Sequence, residues 1–434
     1  MVKLAAIADD LTGANDTALQ FAKRNIKSCV KINLASSDFS DKDVVVIDSD
    51  SRDMSADEAY KKVKSICEVI KTYDAKCIYK KIDSTMRGNI GAEIKAVDDV
   101  FMPEIVMIAP AYPLTGRITV GGYHLLNGMP LEFTEIANAP KTPVNESYIP
   151  YIISQQAKDV KITILDLITM KKGVAALKNK INESMLQGSR WFICDIAKEE
   201  NFVTLMDAVK SFHKILWVGS AGLADYITYF YDWTGKAEVS QIKRSGPALI
   251  CAGSVSHVTQ EQIKNVLEHE DINLVKVNIA EVLADEIGTI DKYVMMLKGF
   301  INREAHKNII ITTAQNDQDV MDAVEAGKQY GLCGKDVSEK VANIMAIIVS
   351  RLDLNKLSGL VMTGGDIAVH ICRAIGAESI DIISEIDDAI PLGWIKGPSL
   401  DRLFVVTKAG AFGKPDAFIK SVKAIRNCAV DLNV

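Results

Sequence analysis

Ten consecutive residues, Lys80-Lys81-Ile82-Asp83-Ser84-Thr85-Met86-Arg87-Gly88-Asn89, bring together two lysines, an aspartate, two hydroxyls and an arginine. Lys81 and Arg87 could hold a carboxylate or a phosphate, Arg87 through a two-pronged contact. Asp83 could accept the proton of a substrate hydroxyl. The alternative is a surface loop that closes on an internal Asp–Arg pair. The preceding Cys77-Ile78-Tyr79 reads as the end of a strand. Ile90, Ile94, Val97 and Phe101 share one face of a following helix. A strand-to-helix crossing of this kind is where open α/β sheets bind ligands, and the helix N-terminus there favours anions.

Other polar clusters occupy similar positions. Asp9-Asp10-Leu11-Thr12-Gly13-Ala14-Asn15-Asp16 follows an apolar strand at Leu4 to Ala8, and Asp48-Ser49-Asp50-Ser51-Arg52 follows Val44 to Ile47. Helix capping accounts for one or two of these aspartates but not for the whole cluster beside Thr12-Gly13. Later in the chain three strands end in glycine with hydroxyls or charge. These are Gly253-Ser254-Val255-Ser256-His257, Thr363-Gly364-Gly365-Asp366, and Lys408-Ala409-Gly410-Ala411-Phe412-Gly413-Lys414. Glycine permits close backbone approach, and amides at a helix start suit phosphate oxygens. One such loop is weak; three in one region point to a nucleotide pocket. Ser254 and Ser256 could bond ribose or phosphate, Gly364 and Gly365 could pass beneath phosphates, and Asp366 could lie near Mg2+. Lys408 or Lys414 could balance phosphate charge, each with a solvated surface lysine as its alternative. There is no GxxxxGK[ST] loop and no GxGxxG after a strand, which argues against a P-loop enzyme and a dinucleotide oxidoreductase. His257 and His370 receive no role.

The elements that must position these residues alternate between strand and helix. Helices carry Ala14, Ala18, Phe21 and Ala22, then Ala59, Val63, Ile66 and Ile70, on single faces. Further strands are expected at Ile105–Ile108, Ile162–Asp166, Trp191–Asp195, Ile215–Val218, Ala248–Ala252, Leu274–Val277, Ile309–Thr312, Gly359–Met362 and Leu403–Thr407. This alternation predicts an α/β fold of two domains with mostly parallel sheets and right-handed crossovers. It lapses from Ala109 to Pro143, a Pro/Gly-punctuated loop that is either functional or a hairpin covering the sheet edge. A polar stretch near Gly235–Gly246 reads as a linker, giving domains 1–235 and 246–434.

At 434 residues the chain is long enough for two or three domains. A net charge of -6 gives no electrostatic case for nucleic acid or an anionic membrane. The eight cysteines form no CxxC pair and the six histidines show no metal-ligand spacing. Both facts argue against a disulfide framework and a zinc site and favour reduced thiols. No apolar run spans a bilayer, and Leu4 to Ala8 is too short for a secretory core, so a cytoplasmic protein is expected.

Taken in order, these motifs resemble the four-carbon acid sugar kinase family, which includes threonate, erythronate and 3-oxo-tetronate kinases. The resemblance rests on Ala8 to Asp16, Asp50-Ser51-Arg52, Lys80 to Asn89, Ala109-Pro110-Ala111-Tyr112-Pro113 with Gly116-Arg117, Gly219-Ser220-Ala221-Gly222-Leu223, and the three later glycine loops. It implies an N-terminal acid-sugar domain, a C-terminal ATP domain, and transfer of the γ-phosphoryl group to a terminal hydroxyl. Family ATP contacts carry over onto Ser254, Gly364, Gly365, Asp366, Ile367 and Gly410. In the substrate domain Asp10, Arg52, Lys81, Asp83 and Arg87 fall in matching motifs. The chain departs from the family pattern at Ala137-Asn138-Ala139-Pro140, at Ile367, and at Lys396 to Leu400.

The resulting expectation is an ATP- and Mg2+-dependent kinase with its active site in a cleft between the two domains, taking a small sugar acid. Lys81, Arg87 and Arg52 would clamp the carboxylate. Asp83, or failing that Asp10, would accept the hydroxyl proton, and the linker would allow closure. The competing reading is a non-catalytic regulator that binds nucleotide or sugar acid. A homodimer is the base-rate expectation for the assembly.

Overall fold

Fully apolar runs such as Leu4–Ala8 and Ile105–Ala109 lack polar alternation, as strands do when helices cover both faces of a sheet. In the computed structural model described here they lie at the centre of parallel sheets. The structure describes residues 2–33, 41–139, 141–236, 244–253, 256–304 and 306–426. The chain divides into two compact units, Met1–Ser28 with Asp38–Gly235, and Cys29–Ser37 with Lys236–Val434.

The elements of the first part of the chain are β1 Leu4–Ala8, α1 Leu11–Ala22, β2 Ser28–Lys31, β3 Val44–Asp48, α2 Ala56–Lys71, β4 Cys77–Lys81, α3 Ile90–Phe101 and β5 Ile105–Ala109. They continue with β6 Arg117–Val120, β7 Tyr123–Leu126, β8 Met129–Pro130, α4 Ile149–Ser154, β9 Ile162–Leu165, α5 Leu167–Lys171, α6 Val174–Leu186, β10 Trp191–Cys194, α7 Glu199–Val209, β11 Ile215–Gly219 and α8 Ala221–Tyr231. The main sheet of the first unit runs β3-β1-β4-β11-β5-β10-β9, every pairing parallel. Register places Ala8 opposite both Asp48 and Lys81, so the carboxyl ends of three adjacent strands come level. The polar clusters after β1, β3 and β4 therefore share one edge. Ser55 and Glu58 form a capping box that starts α2.

The long loop after β5 contains a second sheet, antiparallel in the order β6-β7-β8. Asp195, just past β10, anchors it by accepting hydrogen bonds from the Gly121 and Gly122 amides at 2.6 and 2.9 Å. One detail of α3 differs from expectation. Phe101 is only half-buried, and Val100 takes the core position at the helix end.

The second unit comprises β12 Ala248–Ala252, α9 His257–His269, β13 Ile272–Lys276, α10 Ile279–Ala284, α11 Glu286–Arg303, β14 Asn308–Thr312, α12 Asp317–Gln329, α13 Gly334–Ser350, β15 Gly359–Thr363 and α14 Gly365–Ala374. Then follow β16 Ser379–Asp387, β17 Ile390–Gly397, β18 Leu400–Lys408 and α15 Ala417–Arg426. Strands β13-β14-β12-β15-β18 are parallel, while β17 and β16 continue the sheet antiparallel. Those two strands escape the strand-helix pattern because a turn, not a crossover helix, joins them. The unit's core packs Ile250, Ile310, Val361, Phe404 and Val406 against Ile263 and Phe418 from flanking helices. Among the described residues no helix is long and apolar enough to cross a membrane.

Candidate active site

In the first unit the three expected clusters meet as one buried charge network. Arg52 lies at its centre. Its Nε and Nη2 bind the two carboxylate oxygens of Asp9 at 2.8 and 2.9 Å, and Nη1 binds Asp10 Oδ2 at 2.7 Å. Asp83 Oδ1 lies 3.6 Å from Nη2. The surrounding carboxylates outweigh burial and raise the Arg52 guanidinium well above its usual range. The expected role of Arg52 as a direct clamp is thus largely spent on holding aspartates in place.

Asp10 has two duties. It caps α1 by accepting from the Gly13 amide at 2.9 Å, and it pairs with Arg52. Burial raises its carboxyl above the ordinary aspartate value; Arg52 opposes this and the neighbouring Asp9 reinforces it. For Asp9 burial acts in the same direction, but Arg52, Lys80 and Lys81 together outweigh it and leave the group lowered. Glycine at position 13 makes the arrangement fit. A Cβ there would lie 2.7 Å from both Asp10 Oδ1 and Lys81 Nζ. Lys81 is buried beside these carboxylates, and its Nζ donates to Ile82 O at 3.0 Å.

Asp83 makes a two-pronged pair with Arg87, Nε to Oδ2 at 2.8 Å and Nη2 to Oδ1 at 2.9 Å. Thr85 Oγ1 donates to Oδ2 at 2.5 Å. The internal Asp–Arg pair expected of a surface loop is present, but Asp83 is buried. Burial pushes its carboxyl up, yet Arg87, Arg52 and Thr85 together hold it well below the aspartate range. A carboxylate so stabilised in its charged form is a poor proton acceptor. The network orients Arg87 instead, whose side chain is one-third exposed.

Two supports received no role in the sequence reading. Lys80 is fully buried, pairs with Glu93 Oε2 at 2.7 Å, and donates to the carbonyls of Ile7 and Lys81. Glu93 in turn accepts from Ser51 Oγ at 2.7 Å, which ties the β3 loop to α3. Asn89 Nδ2 reaches the carbonyls of Ser51 and Met54 at 3.0 and 2.8 Å, fastening the same loop. The antiparallel sheet adds His124 and Arg117. His124 is wholly buried, with Nε2 2.9 Å from Ser84 O and Nδ1 3.0 Å from Thr119 Oγ1. Burial lowers its imidazole to about 4, so the ring is neutral at pH 7. Arg117 is drawn electrostatically to Asp83, Glu135 and Asp16, and burial, the larger effect, lowers its guanidinium. Its Nε is buried without a hydrogen-bond partner. The sequence signal for His124 was its place in a long, structured loop, and Arg117 was quoted only as part of a family motif, with no role.

The Gly219 to Leu223 motif is a brace. Tyr79 Oη donates to Ser220 O, Ser220 Oγ donates to Ala111 O, and a Cβ at Gly222 would lie 2.6 Å from Ala111 O.

In the second unit, Ser254 and residues 237–243 of the expected linker lie outside the described residues. Gly253 follows β12 and Ser256 precedes α9, while the residues of the other two glycine loops are at the carboxyl ends of β15 and β18. Gly364 has φ +94°, a backbone conformation L side chains avoid, and donates its amide to Lys408 O at 3.0 Å. Gly365 and Asp366 open α14, and Asp366 is exposed. The Ile367 side chain is buried beneath Gly253, where a Cβ would meet its Cδ1 at 2.5 Å, so a ligand would meet its backbone. Gly410 O accepts from Thr259 Oγ1 at 2.8 Å. Gln262 Nε2, absent from the sequence reading, donates to the carbonyls of Phe412, Gly413 and Lys414 and fixes the third loop. Lys414 is exposed and faces Asp387 at 3.9 Å, whereas Lys408 is buried. Among the described residues no three His, Cys, Asp or Glu side chains are grouped to hold a metal.

Residues 4–227 match a family model described as a sugar-binding N-terminal domain, and residues 249–418 one described as a nucleotide-binding C-terminal domain. A D-threonate kinase of Salmonella typhimurium is 31% identical over 95% of this chain and 96% of its own length. The chain belongs to the four-carbon acid sugar kinase family. A D-erythronate kinase of Heliobacterium modesticaldum is 27% identical over 96% of this chain and 95% of its own. A 3-oxo-tetronate kinase of Salmonella typhimurium is 25% identical over 97% of this chain and 99% of its own. The crystal structure of Haemophilus influenzae protein HI1011 shares the fold, with a TM-score of 0.76 at 22% identity over 96% of this chain and 98% of that one.

Proposed function

We propose that this family member is an ATP-dependent kinase that phosphorylates the terminal hydroxyl of a four-carbon sugar acid of the threonate, erythronate or 3-oxo-tetronate type. The observation that carries the reading is the network after β1, β3 and β4. It sets a carboxyl with raised proton affinity, Asp10, beside cations whose partners already fix their direction. The names of the three relatives support the acid class.

Phosphoryl transfer depends more on alignment and charge neutralisation than on covalent help from the protein. In this reading Arg87 and Lys81 hold the carboxylate of the acid, with Arg117 as a further cation. Arg52 keeps Asp9 and Asp10 in register. Asp10 accepts the hydroxyl proton, because its raised carboxyl matches that task better than the strongly stabilised Asp83. Asp83 then serves to orient Arg87. The glycine turns after β15 and β18 take the triphosphate through backbone amides. Asp366, at the start of α14, would hold Mg2+, which commonly takes one or two carboxylates plus phosphate and water oxygens and would neutralise phosphate charge.

Incubation with ATP, Mg2+ and a panel of four-carbon acids, including both threonate and erythronate stereoisomers and the 3-oxo acids, tests the reading. ADP formation dependent on one acid is expected. Saturable binding of acid and nucleotide with no ADP would instead identify a regulator.

A further inference from the structure

Lys408 ends β18 with only 2% of its surface exposed. Its Nζ meets three neutral oxygens: Thr363 Oγ1 at 3.0 Å, Gly410 O at 3.3 Å and Thr259 Oγ1 at 3.4 Å. The Phe418 ring lies 5.6 Å away on another side. No carboxylate among the described residues pairs with it, whereas the buried Lys80 has Glu93. A buried charge without a counter-charge is costly unless something else in the working protein balances it.

Its neighbours indicate what that is. Thr363 immediately precedes Gly364, Gly410 lies in the third glycine turn, and Thr259 lies in the first turn of α9. The Lys408 carbonyl also receives the Gly364 amide. One ammonium therefore touches the turns at the carboxyl ends of β15 and β18 and the first turn of α9, the helix that follows β12. We propose that Lys408 is the buried positive charge against which the nucleotide's phosphates are held, acting through Thr259, Thr363 and Gly410 as a positioning residue. The inference rests on the kinase reading and deepens it, since it selects Lys408 over exposed Lys414 and names a polyphosphate anion as the missing counter-charge. Burial lowers the Lys408 ammonium to about 8, so phosphate binding must raise it again. The charged or titratable side chains on the elements packed around it include His257 on α9, Asp366, His370 and Arg373 on α14, Lys396 on β17 and Lys420 on α15. None of them pairs with Nζ.

Calorimetric titration of the full chain with MgATP at pH 8, in two buffers of different ionisation enthalpy, reads the proton balance directly. Uptake of up to about half a proton is expected, because a group titrating near 8 is half charged there. Adenosine, which carries no phosphate, should take up none. MgATP affinity should fall about tenfold from pH 7 to 9.5. Lys408→Met should weaken MgATP about tenfold at pH 7, flatten that pH dependence and abolish the uptake, without lowering Tm. MgATP binding by the wild type with no proton uptake and flat affinity would overturn the proposal, as would retention of both signatures in Lys408→Met. The wild-type titration stands even if the variant does not fold. Absence of MgATP binding at every pH would overturn the kinase reading itself and this inference with it.

Discussion

Replacing Asp10 with Asn separates the two aspartates that compete for the role of proton acceptor. Asn is nearly as good a helix cap as Asp, so the Gly13 amide keeps an acceptor and α1 should remain intact. The contact with Arg52 Nη1 at 2.7 Å changes more. It loses a charge, and if the amide nitrogen faces the guanidinium, two donors oppose each other. Arg52 retains both bonds to Asp9, so the loss in stability should be about 1–3 kcal/mol and not a full uncompensated burial. If Asp10 is the base, kcat should fall about 10²- to 10⁴-fold with a much smaller change in KM for the acid. The pH profile gives the sharper test. A base works only when ionised, and burial places Asp10 above the 3.8 of an ordinary aspartate. Wild-type kcat should thus decline on acidification at a higher pH than 3.8, and this acid limb should vanish in Asp10→Asn. Asp83→Asn should do the opposite, releasing Arg87 and raising KM more than it lowers kcat. Near-normal kcat with the limb intact in Asp10→Asn, or an Asp83→Asn enzyme with normal KM and no turnover, would refute the assignment.

Other consequences follow from the same contacts. Arg52→Ala leaves Asp9, Asp10 and Asp83 without their shared cation and should cost about 3–5 kcal/mol in urea denaturation. Gly13→Ala should displace Asp10 Oδ1 and Lys81 Nζ, lowering kcat/KM at least tenfold with a folded circular dichroism spectrum. His124 titrates near 4 in the fold and near 6.5 when unfolded, so the unfolded chain binds the extra proton between those values. Stability should fall as pH drops from 6.5 toward 4, by about 3 kcal/mol at most, and His124→Phe should flatten that part of the curve while raising KM for the acid.

The sequence by itself determined the alternation of strand and helix, because apolar runs bounded by polar turns leave few other folds open. It also placed the charged motifs at strand ends, so Asp10, Arg52, Lys81, Asp83 and Arg87 were identifiable as one set. What it could not assign was who holds whom. Arg52 was expected to face a ligand; register between β1 and β3 turns it onto Asp9 and Asp10. Asp83 and Asp10 look alike as residue types, and only burial and the count of nearby cations drive their proton affinities apart. Lys80 and Lys81 are neighbours in sequence, yet strand alternation sends them to different partners, one to Glu93 and the other beside Gly13. His124 and Gln262 became visible only once distant segments were folded against them, because hydrogen bonds spanning tens of residues leave no local pattern. For the same reason Lys408, a surface lysine by composition, was revealed as a buried charge only by the packing of α9 and two glycine turns around it.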